Sequence, residues 1–189
     1  KLLDTLQDEH VLIDRVLGSL RTYVGRLVDG TADPADGRRF ASFFTEFAGH
    51  FHHDREERVL FRALVTAAEL PADRGPVYAL AREHAEMEEW LRELAPLLER
   101  RPQSGDDRAR LRALVMRYSH ALWRHIDAEN SVLFPQGEER LLATGRRAAR
   151  GDSDDDVARG HSRHLHVLGP LRLVVLGPLD GGHEGLAPA

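Results

Sequence analysis

Apolar residues recur at alternating intervals of three and four along the N-terminal segment of the chain. The repeating positions are Leu3, Leu6, His10, Ile13, Leu17, Leu20, Val24 and Leu27. This spacing is typical of an amphipathic helix that turns one side toward a bundle core. The pattern stops at Asp29-Gly30, and we predict that a first helix ends there.

Three further segments carry helical patterns and end at residues that interrupt helices. The predicted helices run over about residues 36–70, from Pro76 to about Leu98, and from the Gly105-Asp106 break to Phe134-Pro135. Long helices joined by short turns favour an up-down-up-down arrangement. We therefore predict an all-α fold, an antiparallel four-helix bundle over residues 1–135.

The chain also resembles itself when it is shifted along its own length. A shift of 74 aligns Leu3, Leu6, Glu9, His10, Leu17 and Leu20 with Val77, Leu80, Glu83, His84, Leu91 and Leu94. A shift of 73 aligns His52, Asp54, Glu56, Val59, Leu60 and Phe61 with His125, Asp127, Glu129, Val132, Leu133 and Phe134. This repetition indicates two helical hairpins related by a pseudo-twofold axis, an arrangement that suits two equivalent metal ions.

Residues 136–189 form a C-terminal extension with a weaker pattern. A short helix is expected around Glu138 to Arg150, followed by an acidic loop through residues 152–156. Val-Leu-Gly-Pro-Leu occurs at 167–171 and again at 175–179, and its glycines and prolines interrupt the apolar run. We expect this extension to pack on the bundle or to form an oligomer interface.

Charge and composition exclude several classes of function. The net charge of −5 and the pI near 6.1 provide no basic surface for nucleic acid. The chain contains no cysteine, which excludes disulfides, iron–sulfur clusters and thiolate nucleophiles. Neither a signal sequence nor a membrane-spanning run is apparent, so the expected location is the cytoplasm.

Four histidines and two glutamates are the candidate metal ligands. His52 with Glu56, and His125 with Glu129, have the spacing of four that places two side chains on one helix face. His10 and His84 lie on the core-facing stripes of the other helices. Burying even one unpaired carboxylate costs several kcal/mol, and coordination to two cations removes that cost.

Other residues near this set have competing interpretations. His53 with Glu57 is a second pair with a spacing of four, but the self-match at a shift of 73 favours His52 with Glu56, so His53 is expected near the helix flank. His50 and His120 are expected to be partly exposed. Tyr23, Tyr118 and Met87 are expected in the core, and His161, His164 and His166 form a loose cluster in the extension.

Two motifs identify a resemblance to a known family. H-x-x-x-E-E-x-x-L-F at 52–61 and H-x-x-x-E-N-x-x-L-F-P at 125–135, with Glu9-His10 and Glu83-His84, resemble the hemerythrin and HHE cation-binding family over residues 1–135. The resemblance implies two iron ions with an oxo or hydroxo bridge. One iron would be held by His10 and His52, the other by His84 and His125, with Glu56 and Glu129 bridging both.

The chain departs from the oxygen-carrying members of this family at one position. These proteins have a second histidine one helical turn after the third-helix histidine, whereas this chain has Glu88. The Glu88 carboxylate is either an extra ligand or, as we expect, part of a solvated helix face. With only four histidines and two bridging carboxylates as ligands, an iron ion would have room for an exogenous molecule. This ligand set favours reaction with O2, peroxide or nitric oxide, in sensing or in peroxidase- or catalase-like detoxification. The alternatives are an oxidase or oxygenase acting on a small organic substrate in a cavity built by the extension, and non-enzymatic oxygen or iron binding.

Rival metalloprotein families do not fit the motifs. The E-x-x-H pattern of ferritin-like di-iron bundles and the H-E-x-x-H pattern of zinc proteases are both absent from the sequence. Histidine and carboxylate ligands suit iron, manganese and zinc about equally. The choice of iron therefore rests on the family resemblance.

Overall fold

The computed structural model of the chain describes residues 2–150, and every regular element in that range is helical. Helix α1 is Leu2–Val28, α2 covers residues 34–66, α3 is Gly75–Leu98 and α4 covers residues 105–150. The predicted all-α, four-helix architecture is confirmed. The acidic loop, the two Val-Leu-Gly-Pro-Leu segments and the histidines of the extension lie outside the described residues.

Helices α2 and α4 change their hydrogen-bonding pattern along their length. Helix α2 is α-helical over Pro34–Ser42, has π-helical stretches at Phe43–His53 and Glu56–Phe61, and ends as α-helix at Arg62–Thr66. Helix α4 has one π turn, Glu129–Leu133, between Gly105–Ala128 and Phe134–Arg150. Such π turns are frequent at functional sites, and here they contain His52, Glu56 and Glu129.

Two predicted helix ends are wrong. Helix α4 does not close at Phe134-Pro135 but continues to Arg150, so the expected short helix is its last part. Pro135 is tolerated because the π turn before it has already shifted the backbone pairing, with the Phe134 N–H donating to the Glu129 carbonyl. Helix α2 ends at Thr66 rather than Leu70, and Glu69 follows with a left-handed φ of 56°.

Contacts between helix ends establish the directions of the four helices. Near the end of α1, the Tyr23 hydroxyl donates a hydrogen bond of 2.8 Å to the carbonyl of Leu98 at the end of α3. Arg112, early in α4, pairs at 3.9 Å with Asp29, which follows α1. Helices α1 and α3 are therefore parallel and α4 is antiparallel to α1, as in the predicted up-down-up-down bundle. None of the helices in residues 2–150 has the length and apolarity needed to cross a membrane.

The interior consists of two apolar clusters with a polar layer between them. The large cluster includes Ile13, Leu20, Phe44, Met87, Leu94, Tyr118 and Leu122. The small cluster includes Leu6, Leu60, Leu64, Leu80, Leu133 and Phe134. On α1 the order Leu6, His10, Ile13 passes from the small cluster through the polar layer to the large one. Each helix supplies one histidine or more to this layer.

Gly37 marks the closest approach of α2 to the end of α3. A Cβ atom at Gly37 would lie 2.0 Å from the Leu98 carbonyl oxygen, whereas one at Gly25 would have no neighbour within 4 Å. We expect Gly37→Ala to lower the free energy of unfolding by about 1–3 kcal/mol through overpacking. Gly25→Ala should leave it unchanged or raise it by up to about 1 kcal/mol. Urea denaturation measures both, and equal effects would contradict this account of the contact.

Candidate metal centre

The six residues predicted as metal ligands come together in the polar layer. His10, His52, Glu56, His84, His125 and Glu129 are each at most 5% exposed. Each helix of the bundle contributes to the set, and α2 and α4 contribute a histidine and a glutamate each. The sequence pattern therefore located one buried cluster drawn from all four helices.

The imidazole Nε2 atoms point at the two carboxylates. Glu129 Oε2 lies 3.2 Å from His10 Nε2 and 3.3 Å from His125 Nε2, so one oxygen stands between α1 and α4. Glu56 Oε1 lies 3.4 Å from His52 Nε2, and Oε2 lies 3.5 Å from His84 Nε2. Each carboxylate thus reaches histidines that the sequence analysis assigned to different metal ions.

These atoms form two groups with the geometry to hold a metal ion. The ligand atoms within a group lie within 4.8 Å of one another, and Glu56 belongs to both groups. The first group, called here the α1 subsite, contains His10, His52, Glu56 and Glu129. The second group, the α3 subsite, contains His53, Glu56, His84 and His125.

His53 was wrongly expected at the helix flank. It is 8% exposed, and its ring stacks on His84 with 3.9 Å between ring centroids. The expectation assumed α-helical geometry, in which His52 and His53 point in well-separated directions. Both residues lie in the π-helical stretch Phe43–His53, whose larger turn reduces the angle between successive side chains. Both imidazoles therefore face the interior.

Unsatisfied polar atoms test whether a cation fits this cluster. Among the described residues, eight buried side-chain nitrogen or oxygen atoms have no hydrogen-bond partner, and seven of them belong to the cluster. The seven are the Nε2 atoms of His10, His52 and His53 and both carboxylate oxygens of Glu56 and Glu129. Such atoms are costly to bury unless they are coordinated. The donor set of imidazole nitrogens and carboxylate oxygens fits iron, manganese or zinc.

The outer nitrogens of four histidines are held in a closed ring of hydrogen bonds. Nδ1 of His52 is 2.8 Å from Glu9, Nδ1 of His84 is 2.8 Å from Glu57, and Nδ1 of His125 is 3.0 Å from Glu83. His10 Nδ1 completes the ring, 2.9 Å from the side-chain oxygen of Asn130. Each helix therefore provides an acceptor to the histidine of the next helix. An acceptor at Nδ1 leaves the Nε2 lone pair directed inward, as in metal-bound histidines.

These supporting residues were not predicted from the sequence. Glu9 entered the sequence analysis only as part of the Glu9-His10 motif, whereas its side chain supports His52 on another helix and also contacts Arg55. Glu57 supports His84, not the His53 of the competing pair. The signal was present in the repeat, because the shift of 73 aligns Glu57 with Asn130 and both occupy corresponding places in the ring.

The same repeat shows where the two subsites differ. The shift of 73 aligns His53 with Ile126, a buried member of the large apolar cluster. The α3 subsite thus has a third histidine where the α1 subsite has an aliphatic side chain. Within residues 2–150, His53 Nδ1 has no hydrogen-bond partner, unlike Nδ1 of the other four histidines. His53 is the least constrained imidazole of the centre.

Several other residues singled out in the sequence lie where they were expected. Glu88 is exposed and pairs with Arg92 at 2.9 Å, so it lies on a solvated face and not in the cluster. His50 is exposed and pairs with Glu46, and His120 is exposed. Tyr118 is buried in the large apolar cluster.

The protonation states of the cluster reflect burial and crowding of like charges. Burial and repulsion by Glu129 raise the pKa of Glu56 to about 7. Burial opposes protonation of His10, but Glu129 and Glu56 outweigh it and raise its pKa to about 10. Burial and the neighbouring imidazoles lower the pKa of His52 to about 2. Without a cation, a proton on His10 and, below about pH 7, a second proton on Glu56 offset the buried negative charge.

Removing the shared carboxylate tests the centre directly. We expect Glu56→Gln to reduce bound metal from about two ions per chain to less than about one, because Glu56 reaches both subsites. Glu88→Gln, an exposed exchange of the same size, should leave the metal content unchanged. Elemental analysis of both variants after loading with ferrous iron, with circular dichroism as a check on folding, measures this. Full metal content in Glu56→Gln would refute the assignment.

Proton release on metal binding provides a second test. A metal must displace the proton of His10, and below pH 7 also that of Glu56. Each displaced proton makes the apparent affinity fall tenfold per unit of falling pH. Between pH 8 and pH 6 we therefore expect zinc affinity, measured against a chelator, to fall at least about tenfold per unit. An affinity independent of pH would mean that the metal binds elsewhere.

Comparison with known proteins agrees with this geometry. The family model described as the hemerythrin HHE cation-binding domain matches residues 1–136, which contain the four helical ligand segments and the whole polar layer. No curated protein and no solved structure matches the chain. A match over most of the chain, with its histidines and glutamates gathered in one buried layer, shows that the chain belongs to the hemerythrin HHE cation-binding family.

Proposed function

We propose that this protein holds two iron ions, one in each subsite, and that the centre binds or reacts with O2, peroxide or nitric oxide in sensing or detoxification. The observation that carries the proposal is the convergence of seven buried, unpartnered ligand atoms on one layer of the bundle. Histidine and carboxylate ligands would also accept manganese or zinc. Iron is preferred because of the family to which the chain belongs.

The chain's own residues prepare this site in three ways. The ring of Nδ1 acceptors fixes the orientation of four imidazoles before any metal is present. Leu6, Ile13 and Leu122, each 0% exposed, exclude bulk water on either side of the polar layer. Iron held by these residues would supply electron exchange with small oxidants.

The access of small molecules to the metal centre favours a reactive centre over iron storage. The α3 subsite borders a cavity of about 530 Å³, lined in part by His53 and His84. A diatomic molecule or peroxide can approach through this cavity without unfolding the bundle. His53, which no acceptor holds at Nδ1, lines the cavity and belongs to the buried cluster. Burial and the neighbouring imidazoles hold its pKa well below the usual range, so its ring stays neutral and can donate a hydrogen bond to a bound molecule.

The same cavity favours a second candidate, an oxidase or oxygenase that acts on a small organic substrate. From the sequence, only the C-terminal extension was expected to build such a space. Instead α2 and α3, with Tyr118 of α4, form it within the described bundle. Its volume lies in the range of small-molecule sites, about 300–1,000 Å³.

Reaction with peroxide tests the leading proposal. We expect the iron-loaded protein to change its near-ultraviolet and visible absorption when peroxide is added, and then to evolve oxygen or oxidise a reducing co-substrate. The zinc-loaded protein should not respond, because zinc is redox-inert. An iron-loaded centre that peroxide leaves unchanged would refute the proposal, whereas reversible O2 binding without turnover would favour non-enzymatic oxygen binding.

A further inference from the structure

A cavity of about 530 Å³ lies between α2 and α3 and borders only one of the two subsites. Its walls are mainly apolar, and His53 and His84 of the α3 subsite are also part of its lining. The apolar residues of the lining include Phe44, Met87, Leu91 and Tyr118. None of the four residues of the α1 subsite, His10, His52, Glu56 and Glu129, lines it.

The internal repeat explains why this space exists on one side only. The shift of 73 aligns Gly49 with Leu122, which is 0% exposed, and His53 with Ile126, which is 8% exposed. The second half of the repeat therefore has two bulky aliphatic side chains at the positions where the first half has a glycine and a histidine. A Cβ atom added at Gly49 would meet only the Phe44 carbonyl oxygen, at 3.4 Å. The cavity is the space that a leucine at position 49 would enter.

The polar groups of the cavity define the kind of molecule that fits. The charged residues of the lining have partners within the protein: Arg92 is paired with Glu88 and His50 with Glu46. The two other carboxylates of the lining are also paired, Asp54 with Arg58 and Glu57 with His84. The Tyr118 hydroxyl has no hydrogen-bond partner in the described part of the chain, and burial raises its pKa, which keeps it a donor. An apolar body with a single hydrogen-bond-accepting oxygen group at one end matches this lining.

We propose that this cavity binds a small organic molecule with a compact apolar body and a carboxylate-type oxygen head, the head directed toward His53, His84 and Tyr118. The position of the head beside the centre rests on the proposed function. Binding of the apolar body does not, because the cavity walls that hold it contain no metal ligand apart from these two histidines.

Linear carboxylates from acetate to octanoate are the probes for this site. In the wild-type chain, calorimetric affinity should rise about fourfold for each added methylene until the cavity is filled. The titrations are made on the metal-free protein and on the protein loaded with zinc. A series in which acetate and octanoate bind equally, or neither binds, would overturn the proposal.

Two pairs of variants locate the bound chain. Gly49→Leu reproduces the packing of the second half and should abolish the dependence on chain length. Gly18→Leu, at a helical glycine with no neighbour within 4 Å of an added Cβ, should preserve it. Ala85→Phe, an exposed residue that lines the cavity, should also weaken octanoate binding, whereas Ala79→Phe, exposed on the same helix, should not. An unchanged chain-length dependence in both cavity variants would place the ligand elsewhere and overturn the proposal.

The outcomes separate this inference from the proposed function. A chain-length dependence that Gly49→Leu removes, in a protein that takes up no iron, would support the cavity site and refute the di-iron proposal. A flat carboxylate series in a protein whose iron centre responds to peroxide would do the reverse. The two Ala variants keep the test decisive if Gly49→Leu does not fold.

Discussion

Two glutamates and five imidazoles share the interior of this bundle, and the cost of burying them constrains everything around them. Glu56 and Glu129 both lie within 3.6 Å of His10 Nε2 and are fully shielded from solvent. An uncompensated buried carboxylate costs several kcal/mol. The fold tolerates the arrangement because cations, or protons in their absence, balance the charge. The apolar clusters on either side confine these ionisable groups to one layer of the bundle.

The helical periodicity was enough to predict the bundle, and the repeat was enough to predict six of the residues in its polar layer. Both patterns arise because buried positions recur at the helical period, so they can be read from the spacing of residues in the sequence. The exposed Glu88 and the buried Tyr118 follow the same logic. The predicted helix starts agree with the structure because proline and glycine act locally.

What the sequence did not reveal depends on departures from α-helical geometry and on contacts between helices. The π-helical stretch that turns His53 inward has no residue signature that a spacing rule detects. The π turn before Pro135 removes the conflict that a proline normally creates, so α4 continues. The crossed support of His52 by Glu9, and of His84 by Glu57, joins different helices and cannot be inferred from neighbours in sequence.

The ring of acceptors around the bundle also makes the two hairpins depend on each other. The first hairpin, α1 and α2, contains only one complete hydrogen bond of the ring, between Glu9 and His52; the second contains only that between Glu83 and His125. The remaining two bonds cross between hairpins, as does each group of metal-ligating atoms. Neither hairpin alone encloses a subsite. The centre therefore forms only when the two hairpins pair. The segment that joins α2 to α3 keeps the hairpins close together but contributes no residue to either group of ligand atoms or to the ring of acceptors.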